Sequence, residues 1–335
     1  MKPVTIIAEI GQAHEGSLGI AHSYIDAAAS VGANVVKFQT HIAEAESSEF
    51  EPFRVRFSYE DETRFDYWKR MEFTVSEWQG LKDHCETLGV EFMSSPFSCA
   101  AVELLEEIGV ARYKIGSGET SNHLMLERII ETGKSIILSS GLSSFHELDK
   151  TVAFLRGFGA DFSILQCTTK YPTEPEDLGL NVIMELRSRY GCSIGFSDHS
   201  GSIYPAIAAT TLGAELLEVH LTFDRQMFGP DASSSLTVKE FAELVRGVRL
   251  IERALQSPVD KNHNESFVSL KKIFEKSLAV NQNLAEGALI TRELLESKKP
   301  AGRGHPAVDY AELIGKRTNR ALNKWDFISS KDIKS

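Results

Sequence analysis

The feature that most constrains the fold of this chain is a repeated alternation of short apolar runs with longer segments of helical periodicity. The runs are rich in β-branched residues and almost continuously apolar, which is typical of strands buried on both faces of a parallel sheet. Eight strands are predicted, at Thr5–Gly11, Val35–Thr40, Glu91–Phe97, Arg112–Glu119, Ser135–Gly141, Phe162–Thr169, Ser193–Ser200 and Leu216–Phe223.

Amphipathic segments follow the predicted strands, and most of them end in the same way. The predicted helices are Leu18–Val31, Val75–Leu88, Ala100–Ile108, Leu124–Thr132, Phe145–Phe158, Val182–Tyr190, Ile203–Leu212 and Val238–Leu255. A glycine closes seven of them: Gly32, Gly89, Gly109, Gly133, Gly159, Gly191 and Gly213. Glycine adopts the left-handed conformation that ends a helix at the least energetic cost. The pattern therefore predicts successive βα units around a parallel sheet.

Two architectures are built from such units, a closed (β/α)₈ TIM barrel and an open doubly wound sheet. The count of eight units favours the α/β barrel, as does the sequence QAHEGS after the first strand, where a dinucleotide-binding sheet would carry a glycine fingerprint. We assign the barrel to residues 1–257. The long loop 41–74, which is charged and aromatic, is expected to cap the barrel or to form a subunit contact.

The C-terminal part of the chain has a different character. Residues 258–267 are polar and include Pro258, as a linker would. From residue 268 to residue 335, short strand-like runs (SLAV, ALIT and DFIS) alternate with turn-prone sequence. This pattern predicts a small second domain that needs another surface to pack against.

Composition argues against several classes of partner and location. The net charge of −11 disfavours a nucleic-acid partner, because binding to the phosphate backbone relies on a basic surface. The sequence has no run near the ~18 apolar residues of a membrane helix, and its N-terminal residues lead into a strand. The four cysteines form no CxxC pair. We therefore expect a cytoplasmic protein, not bound to a membrane, with reduced thiols.

Polar side chains collect at the C-terminal ends of the predicted strands, which is the end where TIM barrels carry their active sites. Lys37 and Lys114 with neighbouring hydroxyls predict a site for phosphate or carboxylate oxygens, although a strand-end lysine can also extend its ammonium group into solvent. Glu15 is a candidate general base or proton carrier. The alternative is that Glu15 is only an acid before the N-terminus of the following helix, where the helix dipole favours a negative charge.

His199 and His220 are the candidate metal ligands. They lie one βα repeat apart (220 − 199 = 21 residues), which places them on neighbouring strands at similar height. Neutral imidazole is a common ligand of catalytic metals, and two histidines leave positions open for substrate and water. The alternative is that each is a hydrogen-bonded polar residue without a metal.

Ten motifs in order along the chain resemble those of the sialic acid synthases, enzymes that make nonulosonic acids from phosphoenolpyruvate and an N-acylated hexose. The motifs are AEIGQAHEGS, VVKFQTH, SSPF, YKIGSGE, LSSG, CTTKYP, GFSDHS, EVHLT, GPDASSSL and LIGK. The resemblance covers nearly the whole chain. It implies a TIM barrel followed by a small antifreeze-like domain, with two chains of a homodimer exchanging that domain over each other's active site.

The resemblance also implies roles for individual residues. The ligands of Mn²⁺ or Mg²⁺ fall on His199 and His220, and Glu15 matches an acid that manages protons. One of Lys299 and Arg303 would meet the acyl group of the sugar. The phosphoenolpyruvate-binding positions fall on Lys37, Ser95, Lys114, Ser117, Ser139, Thr169 and Ser197. The sugar-contacting positions fall on Gln39, Glu119, Tyr171 and Asp231.

The implied reaction is a condensation in which C3 of phosphoenolpyruvate attacks the aldehyde of the open-chain sugar, which the metal polarises. Water then adds at C2, and phosphate leaves by C–O cleavage. The leading acceptor is N-acetylmannosamine, which gives N-acetylneuraminate. The alternatives are a 2,4-diacetamido-trideoxy hexose, which gives legionaminate or pseudaminate, and a carbohydrate- or ice-binding protein without catalytic activity.

Overall fold

The computed structural model describes residues 3–334, and the chain divides into two compact units, Met1–Ser257 and Pro258–Ser335. The barrel of the first unit consists of eight parallel strands, each paired with the next along the chain. They are β1 Thr5–Gly11, β2 Val35–Thr40, β3 Glu91–Pro96, β4 Arg112–Ile115, β5 Ser135–Ser139, β6 Phe162–Cys167, β7 Ser193–Asp198 and β8 Leu216–Thr222. Because β1 also pairs with β8, the sheet is closed, which confirms the predicted barrel and excludes the open doubly wound sheet.

Helices surround the barrel and alternate with its strands. They are α1 Leu18–Ser30, α2 Ala43–Glu46, α3 Arg64–Met71, α4 Val75–Thr87, α5 Cys99–Ile108, α6 His123–Glu131, α7 Phe145–Gly157, α8 Leu180–Tyr190, α9 Tyr204–Thr211 and α10 Val238–Gln256. The seven glycines predicted to end helices all have positive φ, between 58° and 88°. The short helices α2 and α3 lie in loop 41–74, where no helix was predicted.

Several strands end earlier than predicted. The largest difference is at β4, which ends at Ile115, while Ser117–Glu119 forms a 3₁₀ turn. The polar residues at these ends no longer pair with the neighbouring strand and belong to the loops at the barrel mouth. The sequence therefore predicts strands that are longer than those in the structure.

The centre of the barrel is closed at one level by a layer of apolar side chains. This floor consists of Ile7, Val35, Met93, Ile137, Leu165 and Leu216, all 6% exposed or less. Gly195 completes the layer, because a Cβ there would lie 2.4 Å from Leu165 Cδ2 and 2.5 Å from the Leu216 carbonyl oxygen. A larger core fills the space between the strands and the surrounding helices. The floor limits any ligand site to the space above it.

The second unit has a small core of its own, formed by Leu278, Val280, Leu284, Ile290, Leu313, Leu322 and Ile328. Its strands β10 Ser277–Val280 and β11 Leu295–Lys298 pair antiparallel. Of the three predicted strand-like runs, SLAV forms β10, whereas ALIT and DFIS contribute only isolated bridges at Leu289 and Phe327. The remaining elements are α11 Val268–Phe274, α12 Tyr310–Leu313 and, in the first unit, the two-residue β9 Leu236–Thr237. Within residues 3–334, no helix has the length and apolar character needed to cross a membrane.

Candidate active site

A polar layer lies directly above the apolar floor of the barrel. Side chains alternate between the two faces of a strand, so the residues two positions after those of the floor also point inward. Together with Lys114 of β4, this layer comprises Glu9, Lys37, Ser95, Lys114, Ser139, Cys167, Ser197 and Glu218, all 6% exposed or less. Five of these eight are residues assigned to phosphoenolpyruvate from sequence.

The four charged members of the layer form one network. Lys37 Nζ lies 2.6 Å from Glu9 Oε2 and 3.9 Å from Glu218 Oε2, and Lys114 Nζ lies 3.4 Å from Glu218 Oε1. Glu218 therefore lies between the two lysines. Because a buried ammonium ion is costly unless it is paired, the carboxylates explain how two lysines are accommodated inside the barrel.

The two lysines differ in electrostatic surroundings. Burial opposes the charge of Lys37, but Glu218 and Glu9 outweigh it and raise the pKa of Lys37. Burial lowers the pKa of Lys114. The nearby charge of Glu218 raises this pKa, but it does not cancel the effect of burial, because the ammonium group of Lys37 repels that of Lys114. Burial also opposes ionisation of Glu218, yet Lys114 and Lys37 hold the pKa of Glu218 below its usual range. Of the two lysines, Lys114 is therefore the one whose charge is not fully compensated by the carboxylates of the layer.

Hydroxyl groups surround the lysines. Lys114 Nζ donates to Ser139 Oγ at 2.7 Å, and Ser197 Oγ donates to Glu218 Oε1 at 3.0 Å. Ser117 Oγ accepts from the Gly141 N–H at 3.1 Å. A Cβ on Gly141 would lie 2.5 Å from Thr169 Oγ1, so only glycine allows this approach.

Two buried polar atoms of this site lack a hydrogen-bond partner among the described residues. They are Thr169 Oγ1 and Glu218 Oε2. Buried polar atoms in native proteins are nearly always paired, so an unpaired hydroxyl and carboxylate oxygen in the same site indicate that a ligand or water completes it.

His199 and His220 lie above the polar layer with their ring centroids 5.3 Å apart. His199 Nδ1 is 2.9 Å from the Thr168 carbonyl oxygen, which can only accept, so Nδ1 carries the proton and Nε2 is the acceptor nitrogen. Tyr171 Oη lies 3.2 Å from that Nε2. Burial lowers the pKa of His199 to about 3, with a further contribution from His220, so the imidazole is neutral.

The protonation state of His199 suits a metal ligand, and His220 lies beside it. A neutral ring whose Nδ1 is bound to a backbone carbonyl presents Nε2 in the form that metals bind. No group of three or more His, Cys, Asp or Glu residues with geometry suited to a metal occurs within residues 3–334.

A cavity of about 370 Å³ opens at the mouth of the barrel, and we call it the chamber. Six of the residues predicted from sequence line it: Gln39, Ser117, Glu119, Thr169, Tyr171 and Asp231. The two lysines, Ser95, Ser139, Ser197 and the histidine pair do not line this cavity. His220 instead borders a second, much smaller cavity with Gln12, Ala13 and Asp231. The buried polar layer and the chamber are therefore separate features of the barrel mouth.

Loop 41–74 forms one wall of the chamber. Arg54 Nη2 donates to Asp231 Oδ1 at 2.6 Å, and its guanidinium carbon lies 4.1 Å from the ring centroid of Tyr171. At the base of the loop, the His41 ring is stacked between Trp68 and Phe97 at 3.8 and 4.5 Å. The loop therefore caps the barrel, which was one of the two alternatives predicted for it.

Glu15 lies outside the lining of the chamber, in the turn after β1. Its carboxylate contacts Arg70 at 3.2 Å, and Tyr67 Oη lies 3.5 Å from Oε1. Burial raises the pKa of Glu15 to about 7, although Arg70 opposes the shift. A carboxyl group that titrates near neutral pH can both accept and donate a proton, as the predicted role requires.

Lys299 and Arg303 belong to the second unit. Lys299 Nζ lies 5.0 Å from the ring centroid of Phe274, and the Arg303 backbone N–H donates to Ser277 Oγ at 3.1 Å. Their predicted contact with the sugar stays a prediction.

Sequence reasoning missed several residues of the site. Glu9 is a lone acid in the apolar run TIIAEIG, and its position two residues before the end of β1 was the available signal. Cys167 was expected only to be a reduced thiol, and Glu218 was assigned no role. Arg54 and Arg70 gave no local signal, because their partners lie far away in the sequence.

Comparisons with known proteins agree in pointing to one family. Residues 24–260 match the model of the NeuB family. The chain is 35% identical to human N-acetylneuraminate-9-phosphate synthase over 97% of its length and 91% of the relative. It is 32% identical to N,N'-diacetyllegionaminic acid synthase of Campylobacter jejuni over 94% and 96% of the two chains. The solved structure of N-acetylneuraminic acid synthetase from Leptospira borgpetersenii, in complex with citrate, has a TM-score of 0.71 and 33% identity, covering 80% of this chain and 90% of that one.

Proposed function

The chain belongs to the NeuB family, and from this premise we propose that it is a transferase that condenses phosphoenolpyruvate with N-acetylmannosamine to give N-acetylneuraminate and phosphate. The observation that carries the proposal is the buried layer of two lysines, two glutamates and three serines beneath a polar and aromatic chamber. The layer suits a small anion, and the chamber suits a sugar.

Phosphoenolpyruvate would bind at the polar layer, below the two histidines. Its phosphate and carboxylate would supply the negative charge that Lys114 lacks. The hydroxyls of Ser95, Ser139 and Ser197 would donate to its oxygens, as would Thr169 Oγ1, which has no partner among residues 3–334. Ser117 would contribute from the 3₁₀ turn beside them.

The sugar would occupy the chamber. Its volume of about 370 Å³ is at the lower end of the range for small-molecule sites, as expected for one monosaccharide. Gln39, Glu119 and Asp231 offer hydrogen bonds to sugar hydroxyls, and Tyr171 offers an aromatic face. The long loop encloses this space.

The charge of the chamber favours an acceptor without a phosphate group. Its lining includes four carboxylates and two guanidinium groups: Glu46, Glu51, Glu119, Asp231, Arg54 and Arg64. Both arginines are already paired, Arg64 with Glu51 at 2.9 Å and Arg54 with Asp231 at 2.6 Å. A sugar phosphate would have to compete with these carboxylates, so we prefer N-acetylmannosamine to its 6-phosphate.

The reaction forms a bond between C3 of phosphoenolpyruvate and the aldehyde carbon, whose oxygen gains a proton. Water adds at C2 and loses a proton, and the C2–O bond to phosphate breaks. A Mn²⁺ or Mg²⁺ ion held by His199 and His220 would supply Lewis-acid polarisation of the aldehyde. Glu15 would carry one of the protons, because its pKa of about 7 suits transfer in both directions.

The second unit would be an antifreeze-like domain that covers the barrel of a partner chain in a domain-swapped homodimer. Its helix α11 and the residue before it supply apolar side chains that their own unit leaves about half exposed: Phe267, Val268, Leu270, Ile273 and Phe274. Such a surface favours a protein contact. Lys299 or Arg303 would then reach the acyl group of the sugar. We place the protein in the cytoplasm, where its four free thiols would stay reduced.

Phosphate release tests the proposal. The purified protein with Mn²⁺ and phosphoenolpyruvate is assayed with N-acetylmannosamine, its 6-phosphate and a 2,4-diacetamido-trideoxy hexose, singly and in pairs. We expect the highest kcat/KM with N-acetylmannosamine. Turnover of only the trideoxy sugar would support the legionaminate or pseudaminate alternative. Turnover of only the 6-phosphate would refute the inference that the chamber favours an acceptor without a phosphate group.

The alternative of a binding protein without catalytic activity predicts a different result. Such a protein would bind sugar and release no phosphate from phosphoenolpyruvate with any acceptor, whether or not a metal is added. Retained turnover by His220→Ala without bound metal would contradict the role given to the histidine pair.

A further inference from the structure

The carboxyl group proposed to carry a proton is held by an arginine from the long loop. Arg70, on α3, donates from Nη2 to Glu15 Oε2 at 3.2 Å and from Nη1 to the Glu15 carbonyl oxygen at 3.0 Å. It therefore binds the side chain and the backbone of the same residue. Glu15 has a φ of 48°, a left-handed conformation that is uncommon outside glycine and needs support from its surroundings.

A second carboxylate holds the other edge of the same guanidinium group. Asp61 Oδ2 accepts from Arg70 Nη2 at 2.8 Å, and Oδ1 accepts from Nε at 3.1 Å. Ser58 fixes Asp61 in turn, because its hydroxyl donates to Asp61 Oδ2 at 2.6 Å and accepts from the Asp61 N–H at 3.0 Å. Bidentate pairing of this kind fixes both the position and the plane of the arginine.

The turn and the helix that carry these groups are packed closely. A Cβ on Gly16 would lie 2.3 Å from the Arg70 carbonyl oxygen, and the φ of Gly16 is 75°. Any side chain at position 16 would displace α3 from the turn. The contact between Glu15 and Arg70 is therefore built into the backbone as well as into the ion pair.

We propose that Arg70 is a positioning residue for Glu15, and that Asp61 is the counterion that holds Arg70 in place and shares its charge. This inference rests on the proposed function only in assigning Glu15 a part in the reaction. The long loop would then have two tasks, because it encloses the acceptor chamber and also holds the proton carrier.

The electrostatic consequence follows from the charged and titratable groups around Glu15. They are Arg70 and Tyr67 on α3, Asp61 and the exposed Glu60 in the loop, and Tyr24 on α1. Both tyrosines are neutral, because burial raises the pKa of each. Arg70 favours the ionised form of Glu15, while Asp61 disfavours it. Removing either partner should shift the pKa of Glu15, in opposite directions.

Four variants and one control test the proposal. The limb of the kcat pH profile that is lost in Glu15→Gln identifies the titration of Glu15. In Asp61→Asn, Arg70 acts on Glu15 alone, and that limb should move about one pH unit to lower pH. In Arg70→Gln, it should move about one unit to higher pH, and kcat should fall about tenfold to a hundredfold with an unchanged KM for phosphoenolpyruvate. Lys69→Gln, on the exposed face of α3, should change neither.

Arg70→Lys keeps the charge but loses the bidentate geometry, so it should restore the position of the limb and only part of kcat. Shifts of the limb in the same direction for Asp61→Asn and Arg70→Gln would overturn the proposal. So would unchanged profiles in both variants while circular dichroism shows that they are folded.

A measurement without turnover separates this inference from the proposed function. The titration of Glu15 can be followed through the pH dependence of unfolding in urea, comparing each variant with and without Glu15→Gln. Opposite shifts of the Glu15 titration in Asp61→Asn and Arg70→Gln would support the positioning role of Arg70 even if no sugar is converted. Identical titration in both variants would refute it even if the enzyme is active.

Discussion

Lys37 Nζ lies 2.6 Å from Glu9 Oε2, and both side chains are almost fully buried inside the barrel. The pair comes from neighbouring strands, and Glu218 is the next carboxylate, 3.9 Å from the same ammonium group. A buried charge that loses its partner is strongly destabilising, whereas an exposed pair contributes little. This contrast gives the first prediction.

Glu9→Gln should lower the free energy of unfolding by about 3 kcal/mol, because Lys37 loses its nearest counterion in a desolvated site. Urea denaturation followed by tryptophan fluorescence measures the change. The matched control is Glu91→Gln, which breaks the more exposed pair with Arg112 and should cost less than about 1 kcal/mol. Equal costs for the two variants would contradict the buried network.

Arg54→Ala should raise the KM for the sugar roughly fivefold to tenfold and leave the KM for phosphoenolpyruvate unchanged. Asp231 and Tyr171 would both lose the guanidinium group that orients them, through a charge-assisted hydrogen bond and a cation–π contact. Steady-state kinetics with each substrate varied in turn provide the measurement. Arg56→Ala, exposed in the same loop and outside the lining of the chamber, serves as the control.

Removal of divalent metal by a chelator should abolish phosphate release, and Mn²⁺ or Mg²⁺ should restore it. His199→Ala and His220→Ala should each weaken Mn²⁺ binding by at least about tenfold to a hundredfold, measured by electron paramagnetic resonance titration. His146→Ala, which removes an exposed imidazole on α7, should bind Mn²⁺ as the unmodified protein does. Full Mn²⁺ affinity in both site variants would exclude this histidine pair as the metal site.

Glu15→Gln should stabilise the protein at alkaline pH. Because the pKa of Glu15 is raised from 4.5 to about 7, its ionised form is disfavoured in the folded state. This penalty is absent below pH 4.5, develops as the pH rises and is complete above pH 7. The variant should therefore match the unmodified protein at pH 4 and exceed its free energy of unfolding by on the order of 2 kcal/mol at pH 8. A difference that is the same at both pH values would show that Glu15 does not titrate in this range.

Hybrid dimers test the exchanged second domain. Co-expression of His220→Ala with the double variant Lys299→Ala and Arg303→Ala pairs an intact barrel with an intact partner domain only if the domains are swapped. About a quarter of the sites should then be active, from random pairing of the two chains. Each variant alone should be inactive, and no recovery in the mixture would indicate that every barrel uses its own second unit.

The sequence predicted the barrel, and the polar residues at the ends of its strands, for a local reason. Apolar runs and helical periods are read from neighbouring residues, and glycine at Gly32 or Gly191 is required by the φ of that residue alone. Strand alternation then placed Lys37 and Ser139 on the same face as the floor residues two positions earlier. Strand and helix periods, helix-ending glycines and strand alternation each depend on a few consecutive residues, so they can be predicted from the sequence alone.

Only the tertiary structure revealed which charges meet. Glu9 and Lys37 pair because β1 and β2 are neighbours in register. Arg70 reaches Glu15 across 55 positions, and Arg54 reaches Asp231 across 177. The free energy of such contacts depends on burial and on distances fixed by the closure of the barrel and the path of the long loop. A sequence determines these quantities through the whole fold, and no local pattern of residues displays them.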